Sequence, residues 1–249
     1  MARRTYQNFI FDLYGTLVDI HTEEDRPEVW QGLARFYADH GAAYGPEELR
    51  AAYRRETETR LRGREGIRRD SHEAFPEIRL EEVFLALFRD RKVDAGRELA
   101  LAAGRCFRAL TTDYLRLYDD ALELLRALRR RGGRIYLLSN AQRIFTEGEM
   151  AVLGLTPLFD AVYLSSAYGC RKPDRRFFDM LIIGEGLRRE ESIMIGNDGL
   201  CDVAGGKGAG LDTLYIRSNL SPQEDWPAAD YTLPEMDLAR LAQLLLDMM

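Results

Sequence analysis

Asp12 closes the apolar run Asn8-Phe9-Ile10-Phe11-Asp12, and Leu13-Tyr14-Gly15-Thr16-Leu17-Val18-Asp19 then turns the chain. A carboxylate at the carboxyl end of a strand, followed by a glycine turn, is where open α/β sheets keep their chemistry. Such an aspartate can act as a nucleophile, forming a covalent acyl intermediate that divides one hard step into two. It can equally do no more than cap the turn. An ionised carboxylate working beside other acids needs a cation, because like charges raise carboxylate pKa values. Lys172 supplies one. Lysine occurs only at Lys92, Lys172 and Lys207, against an arginine-rich background, and a compact ammonium suits a site crowded with carboxylates. Ser139 and Asn140 end a second apolar run, 135–138, where they could bind an anion or cap a helix. A third run, 193–195, leads into Asn197-Asp198-Gly199-Leu200-Cys201-Asp202, which carries a pair of acids.

These residues need elements to bring them together. From about residue 118 onward, helical and strand patterns alternate. The sequence predicts helices over 119–131, 144–153, 174–187, 203–209 and 235–247. Between them it predicts strands over 134–138, 161–164, 192–195, 213–216 and 231–233. Alternation of this kind predicts a parallel sheet covered by helices on both faces. Residues 21–117 break the rhythm: the pattern is helical over 28–39, 46–61, 80–88 and 97–114, with no strand between them. The expected fold is therefore an α/β, Rossmann-like parallel sheet core, residues 1–20 and 118–249, with an inserted helical domain over 21–117.

Bulk properties narrow the function classes. A chain of 249 residues is long enough to bury a full core. A net charge of −6 argues against a general nucleic-acid binder. Three cysteines without framework spacing point to a reducing compartment, and no stretch reaches the roughly 18 apolar residues that span a bilayer. A cytoplasmic protein with a small-molecule partner is expected, with neither nucleic acid nor membrane; oligomeric state is left open.

The run from Asp12 to Leu17 resembles the first motif of the haloacid dehalogenase-like hydrolases, Asp-x-Asp-Gly-Thr-Leu. Three further motifs of that superfamily have counterparts here in the same order. They are Ile135-Tyr136-Leu137-Leu138-Ser139-Asn140, Gly169-Cys170-Arg171-Lys172-Pro173-Asp174, and the segment from Ile193 to Asp202. The resemblance implies a helical cap over the core, closing to exclude water and select the substrate. It also implies Asp12 as nucleophile, Lys172 as the balancing cation, and Thr16, Ser139 and Asn140 as phosphate-binding residues. In members that use Mg²⁺, the ligands would correspond to Asp12, the backbone carbonyl of Tyr14 and a fourth-motif acid. Asp198 is favoured over Asn197, because a charged ligand suits a hard cation better than an amide. Asp202 would orient a metal-bound water or Lys172.

Tyr14 departs from the phosphatase pattern. Most phosphatases of the superfamily carry aspartate there as general acid and base, and a tyrosine, with an ordinary pKa near 10, is a poor base at neutral pH. Tyrosine at this position matches the metal-independent L-2-haloacid dehalogenases, whose cap arginine Tyr53-Arg54-Arg55 could loosely supply. Against that activity, Asp198 and Asp202 form an acidic pair those enzymes lack, and Phe178 stands where they have tyrosine. The expected function is a Mg²⁺-dependent hydrolase, phosphatase-like, acting on a small anionic metabolite. The alternatives are a dehalogenase and a binding or regulatory protein of low turnover. The arginines Arg50, Arg54, Arg55, Arg60, Arg62, Arg64, Arg68 and Arg69 alternate with Glu56, Glu58, Glu65 and Asp70. They read as a solvated, ion-paired helix face or as an anion-recruiting lid. His21, His40 and His72 lack metal-ligand spacing.

Overall fold

The computed structural model describes residues 5–62, 77–223 and 226–249. Arg64, Glu65, Arg68, Arg69, Asp70 and His72 lie outside these. Among the described residues, eight strands and ten α-helices follow in the order β1 (Asn8–Phe11), β2 (Val18–Thr22), α1 (Pro27–Asp39), α2 (Pro46–Arg62), α3 (Leu80–Asp90), α4 (Arg97–Thr111), β3 (Thr112–Leu117), α5 (Ala121–Arg130), β4 (Arg134–Ser139) and α6 (Arg143–Val152). The chain continues through β5 (Ala161–Leu164), α7 (Ser165–Tyr168), α8 (Arg175–Gly184), β6 (Ser192–Gly196), α9 (Gly205–Gly208), β7 (Asp212–Ile216), β8 (Tyr231–Leu233) and α10 (Leu238–Leu246).

Six strands form one sheet in the order β5-β4-β1-β6-β7-β8, parallel throughout. Because side chains alternate across a strand, each apolar run feeds both faces. Phe9, Phe11, Ile135, Leu137, Ile193 and Ile195 pack beneath α5 and α10, against Leu125, Leu128, Leu241 and Leu245. Ile10, Tyr136, Leu138 and Met194 face the other way, against Phe177, Phe178, Leu181 and Ile182 of α8. Strand β1 pairs with β4 on one side and β6 on the other. The chain order therefore reverses at β1, which opens a crevice at the carboxyl ends of the three strands. Asp12, Ser139 and Asn197 sit at those ends.

Helices α1–α4 bury a separate apolar cluster that includes Trp30, Leu33, Tyr37, Tyr53, Phe84, Phe88 and Phe107. Trp30, Tyr53 and Phe107 pack against one another, with ring centroids 5.3, 5.4 and 5.7 Å apart. The arginine-rich α2 pairs with its own acids at helical spacing, Arg60 with Glu56 and Arg62 with Glu58.

Two expectations need correction. A strand does interrupt 21–117: α4 stops at Thr111, and β3 pairs antiparallel with β2, Val18 opposite Leu117 and Ile20 opposite Leu115. Phe107, Leu110 and Tyr114 fit a helical period if α4 is continued, so the local pattern reads as helix through to residue 114. Only the pairing with a segment about ninety residues earlier makes the stretch extended, and local periodicity carries no trace of it. The turn after Asp12 also ends sooner than expected, since β2 already begins at Val18.

Candidate active site

Asp12 is anchored at both ends. Its backbone N–H donates to the Ile195 carbonyl of β6 at 2.9 Å. Its Oδ1 accepts from Lys172 Nζ at 2.7 Å and from Ser139 Oγ at 3.0 Å. The turn beyond it closes on Gly15, whose φ of +84° lies in the left-handed region. A second demand falls on the same residue: a Cβ at Gly15 would sit 2.3 Å from Asn197 Nδ2. Glycine here thus serves both the turn and the close approach of the loop after β6. Thr16 is fully buried and donates its hydroxyl to Asn197 Oδ1 at 3.2 Å. Its side chain is spent on joining the two loops.

Lys172 is almost wholly buried, and Nζ also donates to Asp202 Oδ1 at 2.7 Å. Burial by itself would lower the lysine pKa, but Asp12 and Asp202 together overcome it and hold the ammonium above the usual lysine range. Burial pushes the Asp202 carboxyl upward, and the attraction of Lys172 offsets only part of that. Asp202 Oδ2 accepts the Asp198 N–H at 3.0 Å, and a Cβ at Gly196 would fall 2.1 Å from that same oxygen. The backbone of Lys172 is held just as firmly: Asn140 donates to its carbonyl at 3.0 Å and accepts from its N–H at 2.8 Å. The Asn140 side chain therefore positions the lysine, a use that Ser-Asn at a strand end did not suggest.

Asp198 caps the π-helical turn Gly199–Ala204, its Oδ1 accepting from the N–H groups of Leu200 at 2.9 Å and Cys201 at 2.7 Å. Asn197 is the more buried of the two neighbours and lies under Gly15 and Thr16. A cavity of about 180 Å³ is lined by Asp12, Tyr14, Ser139, Asn140, Lys172, Asn197, Asp198 and Asp202. Thr16 is the expected site residue that does not line it. Cys201 and Leu220, which sequence reasoning passed over, do. Burial pushes the Cys201 thiol up to about 12, so it stays protonated at neutral pH. Larger cavities of about 440 and 450 Å³ border α6, but neither gathers the acids and the lysine.

The Tyr14 side chain points its hydroxyl at α6. It hydrogen-bonds to Glu149 Oε2, and it lies 3.0 Å from Thr146 Oγ1. Glu149 in turn accepts from Arg108 Nε of α4 at 2.6 Å. Burial, and then the Glu149 charge, raise the phenol well above its ordinary pKa, so it stays protonated at neutral pH. No local signal could have revealed this: Glu149 is 135 residues from Tyr14.

Among the described residues, no three His, Cys, Asp or Glu side chains cluster as a ready metal site. Asp12, Tyr14 and Asp198 nevertheless line the cavity together, and two carboxylates with a backbone carbonyl would make an all-oxygen donor set of the kind Mg²⁺ takes together with water. The remaining expected groups lie elsewhere. His21 pairs with Asp113 on the β2–β3 ribbon, 2.8 Å away. Arg54 pairs with Asp25 at 2.7 Å, Tyr53 is buried in the aromatic cluster of α1–α4, and Phe178 packs beneath Gly205. No helix of the described residues is long and apolar enough to cross a membrane.

The sequence pattern of the family described as haloacid dehalogenase-like hydrolase matches residues 6–210. Among curated relatives, a phosphoserine phosphatase of Thermus thermophilus is 29% identical over 64% of this chain and 66% of its own length. The pyrimidine 5′-nucleotidase PynA of Streptococcus pneumoniae is 34% identical over 39% of this chain and 41% of its own. The chain thus spans less than two thirds of the length of these relatives. Among solved structures, an HAD phosphatase from Thermococcus onnurineus superposes with a TM-score of 0.57 at 20% identity, covering 96% of this chain and 97% of that one. An L-2-haloacid dehalogenase superposes with a TM-score of 0.59 at 20% identity, covering 97% and 99%. Likeness at that identity speaks for the shared fold.

Proposed function

The chain belongs to the haloacid dehalogenase-like hydrolases, and we propose that it is a phosphatase acting on a small phosphorylated metabolite through Asp12. One observation carries the reading. A single buried ammonium lies 2.7 Å from both Asp12 and Asp202 at the floor of a cavity. An ammonium placed there offsets the repulsion between the two carboxylates and holds Asp12 in place. Asp12 would attack phosphorus through the carboxylate oxygen not engaged by Lys172. The N–H groups at the end of β4 would receive the transferring oxygens, while the Ser139 hydroxyl holds Asp12 Oδ1. Water then attacks the phosphorus of the aspartyl-phosphate and restores the carboxylate.

Asp12, Asp198 and the Tyr14 carbonyl would hold Mg²⁺, with Asp202 steadying Lys172. When bound, the ion would neutralise charge on the transferring phosphoryl group. Helices α1–α4 would serve as the cap, residues 21–117, over a core of 1–20 and 118–249. The names of the curated relatives, a phosphoserine phosphatase and a nucleotidase, favour phosphorus over carbon as the electrophile. A second reading, a dehalogenase, rests on Tyr14 and on the loose placing of Tyr53-Arg54-Arg55 as the cap arginine.

Phosphate release from an aryl phosphate, with and without EDTA, run beside chloride release from 2-chloropropionate, tests the proposal. EDTA-sensitive phosphate release that disappears in Asp12→Asn is the expected result. EDTA-insensitive halide release without phosphatase activity would reverse the assignment.

A further inference from the structure

The Tyr14 hydroxyl is already committed. A phenol carries one proton, and a carboxylate paired with a guanidinium can only accept. Glu149 is such a carboxylate, held by Arg108 at 2.6 Å with side chains only 11% and 19% exposed. The phenol proton therefore goes to Glu149. Thr146 adds nothing for a substrate, since its own proton serves either the phenol or the Gln142 carbonyl, both 3.0 Å away. Neither Glu149 nor Thr146 lines the cavity that holds Asp12, so the hydroxyl end of Tyr14 is turned out of it. The other donors at Asp12 serve the nucleophile: Lys172 and Ser139 both point their protons at its Oδ1.

We propose that Glu149, fixed by Arg108, holds the Tyr14 phenol away from the substrate, and that the enzyme acts on phosphate compounds whose leaving oxygen departs as a weakly basic anion: acyl, enol or aryl phosphates rather than sugar or alkyl phosphates. The proposal rests on the phosphatase reading above. In the first step the Asp12 carboxylate forms the new P–O bond. The old P–O bond breaks, and its electron pair leaves on the departing oxygen without a proton from the protein. In the second step water adds to phosphorus, the P–O bond to Asp12 breaks, and solvent takes up the proton released. Glu149 is a positioning residue in this scheme. It connects α6 to the turn beside the nucleophile, and Arg108 carries the connection on to α4.

The test is a leaving-group series on the purified full chain with Mg²⁺: acetyl phosphate, 4-nitrophenyl phosphate, phenyl phosphate and glycerol 1-phosphate. A positioned general acid contributes about 10²–10⁴-fold, so kcat/KM should fall at least about a hundredfold from 4-nitrophenyl to glycerol phosphate. Tyr14→Asp should raise the rate on glycerol phosphate relative to that on 4-nitrophenyl phosphate by about a hundredfold. Tyr14→Phe, which keeps the buried ring, should shift every ester by a common factor. A wild-type enzyme that hydrolyses glycerol phosphate within about tenfold of the aryl ester would overturn the proposal. So would a Tyr14→Phe loss confined to the basic leaving groups, which would make the phenol the acid. No phosphate from any ester would instead be a failure of the phosphatase reading itself.

Discussion

Lys172 ties the fortunes of two carboxylates together. Removing one member of a buried ion cluster typically costs about 3–5 kcal/mol, because the remaining charges are left uncompensated. Lys172→Met should therefore lower the urea midpoint by that equivalent, besides abolishing turnover. A surface lysine would lose almost nothing. Gly15→Ala should also be costly, since φ of +84° is unfavourable for alanine and its methyl would strike Asn197. We expect a loss of at least about 1–2 kcal/mol from the backbone, together with a fall in activity, measured by thermal unfolding and phosphate release. Both residues were legible in the sequence, Lys172 because lysine is rare here and Gly15 because it follows a strand-end aspartate. The partners that give Asn140 and Tyr14 their settings, the Lys172 backbone and Glu149, were not. Each contact joins residues remote in sequence, and nothing in the local pattern of either partner marks it.

The β2–β3 ribbon carries both chain crossings between the helical block and the sheet, and Asp19 holds it. This buried carboxylate accepts from Arg116 Nε and Nη2 at 2.9 and 2.7 Å, and from Asn219 at 2.9 Å. Asn219 adjoins Leu220, which lines the site, so the ribbon and the loop after β7 are linked through one side chain. Asp19→Ala should cost about 1.5–3 kcal/mol, the range for hydrogen bonds to a charged group, read by urea denaturation. Burial pushes the Asp19 pKa up, but the hydrogen bonds from Asn219 and Arg116 outweigh it and bring the carboxyl below the ordinary range. A lowered folded pKa means that the contribution is complete above the unfolded value, about 4, and is lost as pH falls through the folded one. The stability gap between wild type and Asp19→Ala should accordingly be constant near neutrality and shrink below about pH 4. The parallel strands and most helices could be read from periodicity because each carries a buried face of its own. The ribbon could not, since its two short strands mean little until they pair.

At the scale of the molecule, the described residues form three apolar cores, one on each face of the sheet and one among α1–α4. Phe84 lies in the core of α1–α4, with its ring against Tyr53 and Phe107. Truncating a buried phenylalanine costs about 3–5 kcal/mol. Phe84→Ala should therefore speed hydrogen exchange in α1–α4 while leaving β1, β4 and β6 protected, and uniform loss of protection would show that the cores unfold as one. The sheet, by contrast, exists to bring residues 12, 139, 172 and 202 within hydrogen-bond reach of one another across some 190 positions of sequence, and the proposed chemistry follows from that convergence. Its most direct test is mass spectrometry of the enzyme acid-quenched during turnover of acetyl phosphate or an aryl phosphate. The peptide that contains residue 12 should gain one phosphoryl group, and Asp12→Asn should neither gain it nor turn over. Sustained phosphate release by Asp12→Asn, or a phosphoryl group found on a different residue, would contradict the account.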